Sequence, residues 1–268
     1  MSWLVSVVIV NYNTGQLTCQ AIESLLKYYP SQTVKLEIIV VDNASTDDSV
    51  EQIKKQFPQI RILLNQQNVG FAKANNQAIK QAQGEYVLLF NSDAYLISAG
   101  VVEEMITASR EWQEAVVVPR LVYPDGRPQP SVYRLPSLRR AIQYALTGQT
   151  WGPYLPRAKQ AVAVEAAVMA VMLIPKSVGD QVGWLDERFF MYFEDMHFCR
   201  QLRQQQVPLV YLPQVQVAHL LGQSSQQSPQ SRALLRESSR IYHGKQAWLV
   251  DFWLNLARVR NKLLSGKS

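Results

Sequence analysis

Cysteine is nearly absent: Cys19 and Cys199 are the only two in 268 residues, and they form no CxxC pair. A disulfide framework and a structural zinc site are thereby excluded, and both thiols read as packing residues in helical patterns. Long apolar runs are missing too. The apolar start at residues 3–10 falls far short of the ~20 residues that span a bilayer and has neither a basic flank nor a small-residue cleavage site. It reads as a first buried strand of a cytoplasmic protein. No block of five or more like charges occurs, so the formal charge of +6 and pI near 9.3 fit a small anionic partner or an anionic membrane surface and leave no footprint for nucleic acid. Neither GxGxxG nor GxxxxGK followed by Ser or Thr is present, which takes away the dinucleotide and P-loop readings.

What is present is apolar material in regular pieces. With 47% hydrophobic and 18% charged residues, the chain can bury one large α/β core, alone or with appendages. β-Branched or apolar runs at 5–10, 36–41, 60–64 and 85–90 read as buried strands. Between them, helical spacing aligns Leu17, Ala21 and Leu25, then Val50, Ile53 and Phe57, then Phe71, Ala74, Ala78 and Ala82. Pro58 and Gly84 stop the second and third of these helices. This alternation predicts a mostly parallel sheet flanked by helices, with ligands at the carboxyl ends of its strands.

Further on, a helix at 100–112 and a strand at 115–118 precede a proline-rich irregular excursion at 123–157, with one helix at 138–146. An extended stretch at 162–174, an aromatic strand at 189–193 and a helix at 194–205 follow. Short strands at 209–212 and 215–219 come next, then a flexible Gln/Ser tract at 223–230. One helix is expected over 231–264. Trp248, Leu249, Phe252, Trp253 and Leu256, with Arg258, Arg260 and Lys262 beyond, fit either a packing helix or a membrane-interface helix.

Two of the expected strands deliver carboxylates at their carboxyl ends, in Val41-Asp42-Asn43 and in Asn91-Ser92-Asp93. Such a crevice suits a nucleotide and a divalent cation, which takes hard oxygen ligands, and Asp93 is the candidate ligand. Glu194 and Asp195 open a helix and face the same crevice, where a semi-buried carboxylate can act as general base. Asp195 is the candidate base, with Glu194 beside it.

These segments occur together with Asn68-Val-Gly-Phe-Ala72, Asn75-Asn76, Phe189-Phe-Met-Tyr-Phe-Glu-Asp195 and His219-Leu-Leu-Gly-Gln-Ser224. In that order, from about residue 5 to 225, the chain resembles family 2 glycosyltransferases of the GT-A fold, most closely their rhamnosyltransferase-like branch. The resemblance implies a nucleotide-sugar half at 1–120 and an acceptor-binding half at 121–230 within one domain, residues 1–230, and a helical extension at 231–268. It implies that Asp42 reads the imide N–H of uracil or thymine, that Asn11 and Tyr12 line the base pocket, and that Gly70, Asn75, Asn76 and Ser92 border the nucleotide. It gives His219 a metal or diphosphate role beside Asp93, with Mg2+ or Mn2+ as the cation. Trp184, Arg188 and Tyr192 fall in the segment that shapes the acceptor site; for the aromatic residues core packing is an equal reading.

The chain departs from the family pattern where Ser92 replaces proline, Asn75 stands for arginine and His197 for aspartate. Val168-Met169 or Met169-Ala170 occupies the position of a usual Gly-Ala pair, and the bulkier side chains are expected to narrow the donor sugar pocket. The expected activity is inverting transfer of rhamnose or another deoxyhexose from a dTDP- or UDP-sugar to a glycan or lipid-linked acceptor. A peripheral position at the inner face of the membrane would suit a lipid-linked one. A UDP-hexose or GDP-sugar transferase of the same fold, and a sugar-nucleotide-binding module without catalysis, stay open as alternatives.

Overall fold

In a computed structural model, residues 3–29, 33–149, 152–220 and 229–265 are described. The chain begins β1 (Trp3–Asn11), α1 (Gly15–Tyr28), β2 (Val34–Asp42), α2 (Ser49–Gln56), β3 (Arg61–Leu64), α3 (Phe71–Ile79) and β4 (Tyr86–Phe90). It continues β5 (Ala94–Leu96), α4 (Val101–Glu111), β6 (Val116–Val122), β7 (Val132–Tyr133), α5 (Leu138–Thr147), β8 (Val162–Ala163), β9 (Ala166–Ala167) and β10 (Val171–Pro175). The remainder is α6 (Lys176–Val182), α7 (Glu194–Gln204), β11 (Leu209–His219), α8 (Pro229–His243) and α9 (Ala247–Ser265), the last two joined by a 3-10 turn at Gly244–Gln246.

Among the described residues the main sheet has nine strands, ordered β3-β2-β1-β4-β10-β6-β11-β5, with β8 also on β11. It is mostly parallel: β1, β2, β3, β4, β6 and β11 run one way, and β5, β8 and β10 run against them. Strand periodicity splits the core in two. Val5, Val7 and Ile9 pack with Ile22 and Leu25 of α1 and Met105 of α4, whereas Val8 packs on the other face with Ala74 of α3, Val178 of α6 and Phe198 of α7. Because both faces are covered, the strand centres are apolar throughout, each large side chain contributing about 1.5–3 kcal/mol. The chain leaves β1 for β2 on one side and returns to β4 on the other, so the carboxyl ends of these strands form the crevice.

Several local expectations need correction. Residues 189–193 form no strand, since Tyr192 and Phe193 have φ of 70° and 67°, a left-handed pair that cannot continue a pleat. The stretch 162–174 is divided into β8, β9 and β10, and 209–219 is one strand whose register shifts between Leu212 and Gln216. The tail is two helices rather than one, broken at Gly244 with φ 53°. Of the Gln/Ser tract, 223–228 lie outside the described residues, and Pro229 and Gln230 open α8. The short β5 and α6 were not anticipated.

Candidate active site

The floor of the crevice is a hydrogen-bonded clasp between β1 and β2. Asn11, fully buried, donates to Asp42 Oδ1 at 2.7 Å and to Ser45 Oγ at 2.9 Å, and accepts from the hydroxyls of Thr14 and Thr18 at 3.0 and 2.7 Å. Asp42 also accepts from Ser45, from its hydroxyl at 2.6 Å and from its backbone N–H at 3.0 Å. Both side-chain oxygens of Asp42 therefore have hydrogen-bond donors. Tyr12 stands in front of this clasp, exposed at the rim. Asn43 then ties β2 to the next loop, donating to Asn68 Oδ1 at 2.8 Å and accepting from Asn65 Nδ2 and the Val69 N–H, both at 3.0 Å.

Backbone pairing puts the second group of residues in place. Ala94 of β5 is opposite His219 of β11, and the Leu220 N–H donates to the Asp93 carbonyl at 3.0 Å. The side chains of Asp93 and His219 therefore meet, Oδ1 to Nε2, at 3.3 Å, both nearly fully buried. His219 Nδ1 lies 2.7 Å from Oε1 of the buried Gln129, an acceptor, so Nδ1 carries the proton and Nε2 faces Asp93. Asp93 Oδ2 is buried with no hydrogen-bond partner. An uncompensated carboxylate oxygen next to an imidazole nitrogen fits a divalent cation. Among the described residues no cluster of three or more His, Cys, Asp or Glu is placed to hold a metal.

The left-handed Tyr192 and Phe193 turn the chain into α7, whose first residues Glu194 and Asp195 line the same cleft. Glu194 is 9% exposed and its Oε2 has no hydrogen-bond partner. Burial, then the neighbouring Asp195 charge, pushes its carboxyl above the usual range. Burial also raises the half-buried Asp195, against the opposing pull of the Met196 N–H that donates to its Oδ1 at 2.7 Å. The turn is seated on Gly70: with φ 84°, a Cβ there would lie 2.4 Å from the Phe190 carbonyl oxygen, and the Phe71 N–H donates to that oxygen at 2.8 Å.

The result is a cleft of about 280 Å³. Tyr12, Gly70, Ser92, Asp93, His219, Tyr192, Glu194 and Asp195 line it, with Val168, Met169, Ala170 and Met191 as apolar wall. The anticipated Asn11 and Asp42 are buried behind this lining. Asn75 donates to the Phe71 carbonyl within its own helix, and Asn76 bonds the Leu185 carbonyl at 2.8 Å and Glu187 at 3.1 Å, so neither borders the cleft. Trp184 holds Asp180 at 2.8 Å, and Arg188 holds Asp186 at 2.6 Å on the surface; both lie outside the cleft lining. His197 stands over Phe189 and 3.6 Å from Asp186, its pKa lowered mainly by burial. Thr14, Gln129 and Met191 were not anticipated. Gln129 stands between two prolines in an irregular stretch, and nothing in that pattern marks a histidine partner.

A mostly parallel α/β sheet with the Asp93–His219 pair and the Glu194–Asp195 carboxylates lining one crevice is the layout of a GT-A-type fold. The family model for glycosyl transferase family 2 matches residues 6–159, and the chain belongs to that family. It is 28% identical over 225 residues to an N-acetylglucosaminyl-diphospho-decaprenol L-rhamnosyltransferase of Mycobacterium tuberculosis, covering 76% of this chain and 73% of the relative. Its fold matches the Pyrobaculum calidifontis mannosyltransferase solved with GDP-Man and Mn2+, with TM-score 0.65, 17% identity, and coverage of 100% of this chain and 76% of that one. Staphylococcus aureus TarS 1–349, solved with UDP-GlcNAc, matches with TM-score 0.57 and 19% identity over 95% of this chain and 70% of the other.

Proposed function

We propose that the chain is an inverting, cation-dependent transferase that moves rhamnose or another deoxyhexose from a dTDP- or UDP-sugar to a glycan or lipid-linked acceptor. The setting is the cytoplasmic face of the membrane. The observation that carries the reading is that Asp93, His219, Glu194 and Asp195 line one cleft, with Asp93 Oδ2 and Glu194 Oε2 buried and without a hydrogen-bond partner. The mycobacterial rhamnosyltransferase relative supports the sugar and the lipid-linked acceptor.

In this reading Tyr12 covers the base, while Asn11 and Asp42, bonded to each other and to Ser45, hold the base end of the cleft in shape. Gly70 and Ser92 border the diphosphate, and Asp93 and His219 would hold Mg2+ or Mn2+. The cation supplies charge neutralisation for the departing diphosphate. Asp195 takes the proton from the acceptor hydroxyl as its oxygen bonds to the anomeric carbon and the bond to the phosphate oxygen breaks. Glu194 and Tyr192 position the acceptor. Asn75, Asn76, Trp184 and Arg188 act from behind, bracing α3 and the 184–190 segment that leads to the base.

A panel of dTDP-, UDP- and GDP-sugars, with and without Mn2+, tests the proposal by donor hydrolysis and by thermal stabilisation. A dTDP- or UDP-deoxysugar is expected to give the largest cation-dependent response. Stabilisation without turnover of any donor would favour a binding module. In Asp93→Ala the nucleoside diphosphate should be weakened far more than the nucleoside; equal weakening removes the cation assignment.

A further inference from the structure

α9 is anchored by one face. Val250 and Ala257 are 1% and 0% exposed, and the Arg260 guanidinium donates to the carbonyls of Tyr144 and Ala145 at 2.9 and 2.8 Å, at the end of α5. The opposite face carries Trp248, Phe252, Leu256 and Val259, 68, 51, 42 and 57% exposed. Their spacing of four, four and three residues stacks them in one stripe about 16 Å long. A single exposed leucine needs no explanation, whereas a continuous aromatic and aliphatic stripe marks a contact surface.

The charge distribution selects the partner. Residues 229–268 hold eight Lys and Arg against two Asp and Glu, and residues 1–228 hold nineteen of each, so the whole net charge of +6 resides in the tail. On α8, Arg232, Arg236 and Arg240 are exposed at helical spacing, and Lys245 is exposed in the following turn. Pairing two copies through this region would bring like charges together. Among the described residues no helix is long and apolar enough to cross a membrane. An apolar stripe beside a concentration of cations fits an anionic bilayer surface.

We infer that α8 and α9 dock the enzyme on anionic lipid, with Trp248, Phe252, Leu256 and Val259 at the acyl boundary and the α8 arginines at the headgroups. The inference deepens the proposed lipid-linked acceptor and rests on that reading for its purpose only; lipid binding is measured without donor or turnover. α8 also supports the cleft, since Ser238 donates to the Met191 carbonyl at 2.7 Å and Tyr242 packs on Phe193 with ring centroids 5.2 Å apart. Docking therefore sets the loop before Glu194 near the lipid surface.

The test is co-flotation of the full chain with vesicles of phosphatidylglycerol and phosphatidylethanolamine, against phosphatidylcholine alone, at low and high salt. Binding is expected only to the anionic vesicles and is expected to weaken with salt. Exchanging Arg232, Arg236 and Arg240 for glutamine should lower partitioning on the order of a hundredfold, and Trp248→Ala with Phe252→Ala should also release the protein. All five side chains are outside the cleft, so donor hydrolysis should be retained. Failure of the full chain to float with anionic vesicles at low salt overturns the inference, as does binding unchanged in both variants, or a dimer that dissociates in the Trp248/Phe252 variant. If vesicles bind but no donor is turned over, the enzymatic reading falls and this one stands; the reverse result separates them the other way.

Discussion

Glu194 holds a carboxylate oxygen in a buried position with no donor, beside a second carboxyl that is also pushed up by burial. Such a pair retains a proton at pH values where free carboxyls, near ~4, have lost theirs. The acid limb of kcat/KM should therefore lie above the ordinary carboxylate range, and a limb at ~4 would take the base role from this pair. In Asp195→Asn, donor affinity should persist while kcat drops roughly 10²–10⁴-fold, the span of a general base. Retained turnover would move the proton to another group. The same burial carries a stability signature. The folded pKa of Glu194 is raised, so the native state takes up the proton; stability is fully present below the unfolded value of ~4.3 and declines as pH rises through the folded value. Glu194→Gln lacks that slope. It should match the parent protein in strongly acid solution and be the more stable of the two at alkaline pH, read from denaturation midpoints across pH.

At the scale of elements, the site depends on a turn that sequence patterning misreads. Phe189-Phe-Met-Tyr-Phe193 has the aromatic density of a strand, yet Tyr192 and Phe193 adopt left-handed backbone without glycine, and no residue preference announces that. The turn is over-determined by its neighbours, chiefly Gly70 beneath Phe190 and α8 behind Phe193. Gly70→Ala adds a Cβ against the Phe190 carbonyl at a φ that alanine disfavours. A loss of about 1–3 kcal/mol in urea denaturation is expected, with reduced turnover as the Glu194 turn is displaced; unchanged stability would mean that α3 and the turn separate freely. The strands of the first half were legible because each is a short apolar run with both faces buried, and that Asp93, Glu194 and Asp195 share one cleft was legible because they follow a strand or open a helix at the crevice. The contact between Gln129 and His219 was not, because it joins an irregular segment to a strand end across 90 residues. For the same reason Asn76 was placed on the nucleotide, although its amide bonds the Leu185 carbonyl.

On the scale of the whole molecule, the tail is structurally continuous with the catalytic half. Tyr242, 3% exposed, lies in the same apolar core as Phe198 and Met196 of α7, its carbonyl accepts from Arg200 at 2.9 Å, and the Arg200 guanidinium stands 4.1 Å from its ring centroid. His243 packs edge-on against it and Phe193, and burial lowers its pKa to about 4. α8 thus faces inward to the turn before Glu194 while α9 presents its apolar stripe outward, so variants on the two helices should separate. Tyr242→Ala leaves a cavity behind Phe193 and should cost about 3–5 kcal/mol, the range for removing a buried aromatic ring. It should also slow turnover with a water-soluble acceptor, measured at a temperature where circular dichroism shows the variant folded. Trp248→Ala alters an exposed side chain, so stability and turnover with the same acceptor should both stay within the range of ordinary surface changes, ~0.5 kcal/mol for stability. Equal effects of the two variants on soluble-acceptor turnover would show that α8 does not support the catalytic turn, and that the tail is an appendage after all.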